Sequence, residues 1–310
     1  MFKFLQKEER EEVKEDKKVL DNLFISSGAM KTSTTWMYRV LNTHPELYFC
    51  PEKEIHYFAH IMGDENQILD LDRRVAKMDQ YLRIPDPVAN SEMLRYRLRW
   101  LDHYLSEPLD DKWYQSIFSL REGEKYCCDF SNLSCHMKPE DWREIKQKVE
   151  NLKVIYTMRD PIQRLWSHAK FHAKFIGQRD SIQDWDKDFA DELMRKRHMW
   201  KNAEYGQIVR NLKAGLAEDE LEIFFFENVH ADQTAWLRTI EEFLSISQLS
   251  YPEELTNRKI NTSEVLEMPE WFKELFSEDI ARIVSEVEQE GFSIPDSWSC
   301  LLYTSDAADE

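Results

Sequence analysis

The chain has 310 residues, 42% hydrophobic and 13% aromatic, enough to bury the core of one large domain or two small ones. A formal net charge of -18 disfavours bulk binding to nucleic acid, anionic membranes or highly sulfated polymers. No apolar run reaches the ~18 residues of a membrane span, and the first twenty residues, MFKFLQKEEREEVKEDKKVL, lack the apolar core of a secretion signal.

Residues 1–20 therefore read as a charged lead-in, helical or frayed. The first buried-strand candidate is NLFIS, Asn22 to Ser26, a short apolar run with aromatic and β-branched character. After Gly28 the period changes. Trp36, Met37, Val40 and Leu41 fall at helical spacing, and the pattern stops at His44-Pro45. A mostly helical stretch rich in Trp, Tyr and Arg, about 62–120, separates this unit from a second one. KVIYTM, from Lys153, is another strand candidate, and Pro161 suits the first turn of the helix that follows it. Ile162, Leu165, Trp166 and Ala169 mark that helix's apolar face. A polar, helix-rich segment covers about 178–201. LEIFFFE, Leu221 to Glu227, is the third strand candidate, with a helix near Thr234 to Leu244. Strands alternating with helices predict an α/β fold: a central parallel sheet flanked by helices. Residues 21–299 are expected to form one domain, with the two helical segments as insertions.

The first loop, GAMKTSTT, lies between a strand and a helix N-terminus. Unpaired amides and the helix dipole attract an anion there. Gly28 permits the tight turn, Lys31 adds a full charge, and Thr32, Ser33, Thr34 and Thr35 offer hydroxyls. A nucleoside-triphosphate P-loop needs GxxxxGK[ST], with the lysine after a second glycine; here the lysine comes too early. At the end of the second strand candidate, Arg159 suits bidentate capture of a phosphate, and strand C-termini are where open α/β sheets bind ligands. Arg164 and Ser167, three apart, share a helix face. After the first helix, PEKEIHYF places Glu54 and His56 two residues apart, so in an extended segment they point to one side.

KTSTTW resembles the 5′-phosphosulfate loop, K-x-G-T-T-x, of the sulfotransferases that use 3′-phosphoadenosine 5′-phosphosulfate (PAPS). Lys31, Thr34, Thr35 and Trp36 fall on that pattern, while Ser33 stands where glycine is usual. RDPIQRLWS resembles the family's 3′-phosphate motif R-[DN]-P-x-x-R-x-x-S through Arg159, Pro161, Arg164 and Ser167. KEIHYF resembles its K-E-x-x-[FY]-F segment through Lys53, Glu54, His56, Tyr57 and Phe58. The resemblance spans about Leu23 to Leu244, and its specificity lies in these three motifs. It implies a P-loop-like fold and a PAPS site built from Lys31, Thr32, Ser33, Thr34, Thr35, Trp36, Arg159, Ser167 and Tyr205. In that site Thr34 and Thr35 hold the 5′-phosphate, Trp36 packs on adenine, Arg159 and Ser167 hold the 3′-phosphate, and Arg164 is a structural or phosphate-side ion-pair residue. Lys31 stabilises the leaving oxygen, and Glu54, with His56 sharing or assisting, takes the proton of an acceptor hydroxyl. No metal is expected.

CDFSNLSC stands where the family has a substrate-side strand, without that strand's proline, and NRKINTS adds Arg258, Lys259 and Asn261 outside the assigned site. The expected acceptor is a carbohydrate, lipid or small molecule, with no nucleic acid. Two other readings stay open: a P-loop nucleotide kinase and a non-catalytic module for 3′-phosphorylated nucleotides. Of the five cysteines, Cys50, Cys127, Cys128, Cys135 and Cys300, none forms a CxxC pair. They read as reduced thiols of a cytoplasmic, bacterial protein, with a Cys128–Cys135 bridge as a minor alternative. The last eleven residues, CLLYTSDAADE, resemble a translated sequencing adapter joined to an environmental gene fragment and are set aside from the fold.

Overall fold

A computed structural model of the chain describes residues 18–63, 68–177, 182, 184–256 and 266–299. The lead-in up to residue 17, the NRKINTS segment with Arg258, Lys259 and Asn261, and the tail from residue 300 lie outside the described residues. The expected parallel sheet is present. β1 (Leu20–Ser26) is followed by α1 (Thr34–Leu41), β2 (Leu47–Phe49) and α2 (Tyr57–Ile61). Four helices then precede the next strand: α3 (Leu71–Ala76), α4 (Met78–Leu82), α5 (Ser91–Tyr104) and α6 (Asp111–Ser116). β3 (Tyr126–Asp129), α7 (Pro139–Lys148), β4 (Val149–Met158) and α8 (Pro161–Phe175) continue the chain. After α9 (Lys187–Met194), α10 (Arg197–Trp200) and α11 (Tyr205–Gly215) come β5 (Leu221–Phe225), α12 (Phe226–Ala231) and α13 (Gln233–Leu244). α14 (Glu253–Thr256) and α15 (Glu270–Gln289) follow.

The strand order is β2-β3-β1-β4-β5 and every neighbouring pair is parallel. Alternation along β1 explains its unbroken apolar run. Leu23 and Ile25 enter one core with Val154, Tyr156 and Met158, while Phe24 enters the other with Trp36, Met37, Val40, Leu41 and Ile155. Both faces are covered, so neither needs polar residues. β4 starts at Val149, four residues ahead of the expected Lys153, and pairs from Leu20↔Val149 onward. Its first turn of sequence, VENL, is polar. Asn151 nevertheless stays in the ladder, its side-chain amide donating to Asn22 Oδ1 at 3.0 Å and to Tyr126 Oη at 2.8 Å. β5 ends at Phe225, and Phe226 and Glu227 open α12 instead of extending the strand. Cys50, Cys127, Cys128 and Cys135 are buried free thiols, with no bridge from Cys128 to Cys135. Among the described residues no helix is long and apolar enough to cross a membrane.

The sheet topology fixes where a site can form. From β1 the chain crosses two places to β2 and returns through β3; from β4 it moves the other way to β5. The loops after β1 and β4 therefore part in opposite directions, and the crevice between them is the topological switch point of an open sheet.

Candidate active site

The loop after β1 is locked to β4 before it diverges. Ser27 and Ala29 amides donate to Ile155 O and Thr157 O, and Thr157 N returns a bond to Gly28 O. Gly28 has φ +121°, and a Cβ there would sit 3.2 Å from Asn132 O, so the position requires glycine. Beyond it φ alternates in sign, 74° at Lys31 and 63° at Ser33, with Thr32 negative between them. Such alternation turns successive amides toward one concavity, an anion-binding nest. The first amides to bond back into α1 are those of Trp36 and Met37, both to Ser33 O, so the nest opens on a helix N-terminus.

The sequence-predicted residues take distinct places around this concavity. Lys31 is half-buried, and its Nζ lies 4.6 Å from the centre of the Phe171 ring. Burial, then the charges of Arg159 and Lys170, push its ammonium down to about 8. Thr32 is fully buried and donates to Ala29 O at 2.7 Å, so its hydroxyl braces the turn. Ser33 Oγ lies 3.1 Å from His230 Nε2 on α12. Thr34 Oγ1 accepts from Lys53 Nζ at 3.1 Å, and Thr35 is half-buried beside it. Trp36, expected to pack on adenine, is held among protein groups. It is 3% exposed, packs on Trp236 with ring centres 5.5 Å apart, and donates to Leu255 O and Thr256 O at 3.3 and 3.2 Å.

Arg159 leaves β4 directly opposite the nest. Its Nη1 donates to Lys31 O at 3.2 Å, and its guanidinium lies 4.5 Å from the Phe226 ring centre. Tyr205 is buried and donates to Arg159 O at 2.9 Å, so it fixes the arginine's backbone from behind. Asp160 caps α8, accepting from the Ile162 and Gln163 amides at 3.0 and 3.2 Å. Ser167 is half-buried on the same helix. Arg164, expected as a structural or phosphate-side ion-pair residue, lies inside the fold. It is fully buried, its Nη1 is 3.5 Å from His168 Nδ1, and its Nε and Nη2 have no partner among the described residues. Burial lowers its pKa and that of Arg159.

Glu54 and His56 come from the loop after β2 and meet each other: Glu54 Oε2 is 3.2 Å from His56 Nε2. Lys53 Nζ donates to Glu54 Oε1 at 2.8 Å. Burial pushes the Glu54 carboxyl up, but the His56 hydrogen bond and the Lys53 charge outweigh it and hold the group at about 2. His56 has φ 59°, a strained value for a residue with a side chain. Its amide donates to Ser131 Oγ at 2.7 Å, and Ser131 donates in turn to buried Asp129. Tyr114 donates to the other Asp129 oxygen at 3.0 Å. Burial pushes Asp129 up to about 6 against the Ser131 bond.

Several participants carry no mark in the motifs. Phe171, Phe226 and His230 become visible only once the strand ends are known, and Lys53 in KEIHYF and Asp129 and Ser131 in CDFSNLSC gain their contacts only there: Asp129 closes β3, Phe226 follows β5, and Phe171 lies one helical turn beyond Ser167. The crevice thus holds cations from two strand ends on one side and a carboxylate–imidazole pair on the other. A site of this kind binds a polyanion and takes a proton from a neighbouring nucleophile.

A family model described as "Sulfotransferase family" matches residues 23–250. Among solved structures, a sulfotransferase from Alicyclobacillus acidocaldarius superposes with a TM-score of 0.59 at 18% identity, covering 89% of this chain and 98% of that one. The sulfotransferase domain of the Synechococcus PCC 7002 olefin synthase gives a TM-score of 0.49 at 15% identity, with 89% and 96% covered. No curated protein matches in sequence.

Proposed function

Because the chain belongs to the sulfotransferase family, we propose that it moves a sulfuryl group from PAPS to the hydroxyl of a small-molecule, lipid or carbohydrate acceptor, releasing 3′,5′-ADP. The observation that carries this reading is the Arg159 bond to Lys31 O, which joins the two cationic strand ends at the switch point. Lys31, Arg159 and Lys170 repel one another through space, the electrostatic condition that a bound polyanion relieves. The residues therefore fit a nucleotide with phosphates at both its 5′ and 3′ ends.

PAPS supplies an activated sulfuryl group to such a site. Lys31 holds a full positive charge where negative charge develops on the departing 5′-phosphate oxygen. Thr34, Thr35 and the nest amides receive the 5′-phosphate, while Arg159 and Ser167 receive the 3′-phosphate and so orient the reacting end from a distance. The new S–O bond forms to the acceptor oxygen as the S–O bond to the 5′-phosphate breaks. The acceptor proton goes to the Glu54–His56 pair. Glu54 and His56, 3.2 Å apart, act on that proton together. Phe171 is 46% exposed beside Lys31, and Phe175, one turn on, is 80% exposed. This apolar run on α8 favours an acceptor with an aryl or alkyl body. The reaction site needs no metal in this reading, and the protein is taken as cytoplasmic and its domain as spanning residues 21–299.

Calorimetry with 3′,5′-ADP and with ATP, both without magnesium, tests the donor. Binding of 3′,5′-ADP but not ATP is expected, and the reverse order would point to a kinase. Transfer of labelled sulfate to a panel of hydroxyl acceptors tests the chemistry. Nucleotide binding with no transfer to any of them would leave a binding module.

A further inference from the structure

Lys53 joins the two halves of the site. Its ammonium donates to Thr34 Oγ1, at the start of α1, at 3.1 Å and to Glu54 Oε1 at 2.8 Å. The side chain is 16% exposed. Its own backbone is pinned by a bond from Phe130 N to Lys53 O at 3.3 Å, so the bridge starts from a fixed point just past β3. Glu54 uses its other oxygen on His56. One cation is thus shared between the hydroxyl of the anion-binding loop and the carboxylate of the base pair.

From this geometry we infer that Lys53 is a positioning residue that couples occupation of the donor loop to the state of the Glu54–His56 pair. The inference rests on the donor reading above. A threonine hydroxyl has one donor and two acceptor positions. With Lys53 filling an acceptor position on Thr34, the Thr34 proton is left to point at an anion in the nest. An anion arriving there competes with Glu54 for the Lys53 ammonium. As Lys53 turns toward it, Glu54 gives more of its charge to His56, and the pair becomes a better proton acceptor only when the donor is in place. Other charged groups around His56 are fixed: Asp129, reached through Ser131, is already engaged by Tyr114. Coupling of this kind is reciprocal, so the base pair also influences nucleotide affinity.

The test follows the imidazole signals of His56 in protein carrying ¹⁵N-labelled histidine, at fixed pH, while 3′,5′-ADP is added. The wild-type signals are expected to move on saturation. In Lys53→Met the movement should fall to less than about half, Lys53→Arg should restore it, and Thr34→Val, which removes the other end of the bridge, should reproduce the loss. Undiminished movement in Lys53→Met and Thr34→Val with the nucleotide bound overturns the coupling and leaves the donor reading intact. Failure of the wild type to bind 3′,5′-ADP overturns both. Thr34→Val decides the matter if Lys53→Met does not fold.

Discussion

Lys31 and Ser33 show how much one loop position can decide. Lys31 loses about two and a half pH units of basicity to burial and to its cationic neighbours. A bound phosphate reverses that shift, so at pH above about 8 nucleotide binding must carry a proton in with it. The affinity for 3′,5′-ADP should be flat below pH 8 and fall by up to about tenfold per unit above it. Calorimetry in buffers of different ionisation enthalpy should show proton uptake near pH 8.5, absent in Lys31→Met. Lys31→Ala should lower turnover by ~100-fold or more, the size expected for one oxyanion donor; near-normal turnover would remove its assigned role. Ser33 is different. The sequence shows a serine where the family has glycine, and the backbone shows why glycine is usual: φ is 63°. Ser33→Gly should relieve strain of about 1 kcal/mol and raise the thermal midpoint, at the expense of the contact to His230. A fall in the midpoint would mean that the His230 contact outweighs the strain.

Among the elements, legibility followed length and apolar continuity. β1, α1, α8 and α13 were readable because each buries a long, regular face. β2 and β3 have three and four residues, too few to display a period, and the β4 start is polar because its asparagine bonds sideways into the sheet. The motif residues Lys31, Arg159, Glu54 and His56 were legible because fixed spacing to a strand end carries their chemistry. Asp129 was not, and Lys53 was legible only as the first residue of its motif, since the partners that give each its part, Ser131 and Thr34, are set by the fold. Glu52 shows what the four helices before β3 do for the site. Its Oε2 accepts from Lys77 at 2.6 Å, from Tyr81 and, at 3.5 Å, from Tyr104, while its Oε1 accepts from the Glu54 amide at 3.1 Å. Helices α4 and α5 are thereby keyed to the loop that carries the base pair. Glu52→Ala should lower turnover about tenfold or more and leave 3′,5′-ADP affinity within about twofold, because the cations of the donor side are untouched. Equal losses in both would show that the keying reaches the donor loop as well.

For the whole molecule, acidity and buried carboxylates act in the same direction. Asp129 and Asp160 are both pushed up to about 6 by burial, so folding takes up protons between their folded and unfolded values. Their penalty is fully present above pH 6 and is relieved as pH falls toward 4. The net charge of -18 adds self-repulsion that weakens over the same range. Glu54, held at about 2, works the other way and loses its stabilisation only below its unfolded value. The thermal midpoint should therefore peak near pH 5 and rise with added salt at pH 8. Asp129→Asn should flatten the alkaline side of that peak, between about pH 5 and 6. A maximum at pH 8 would contradict this balance.

The strand order has a last consequence for how new specificities arise. The proposed donor side is carried by the ends of the central strand β1 and of β4 and β5 on one flank, and the proposed base pair by the ends of β2 and β3 on the other flank. The second group is contiguous in sequence, from Lys53 to Ser131, and includes all four helices that precede β3. We infer from this contiguity that the block can be exchanged as one cassette. Transplanting it between relatives, with Lys53 and Thr34 matched at the seam, should carry the Glu54–His56 side of the site from one protein to another, while nucleotide recognition and the apolar face of α8 stay with the recipient.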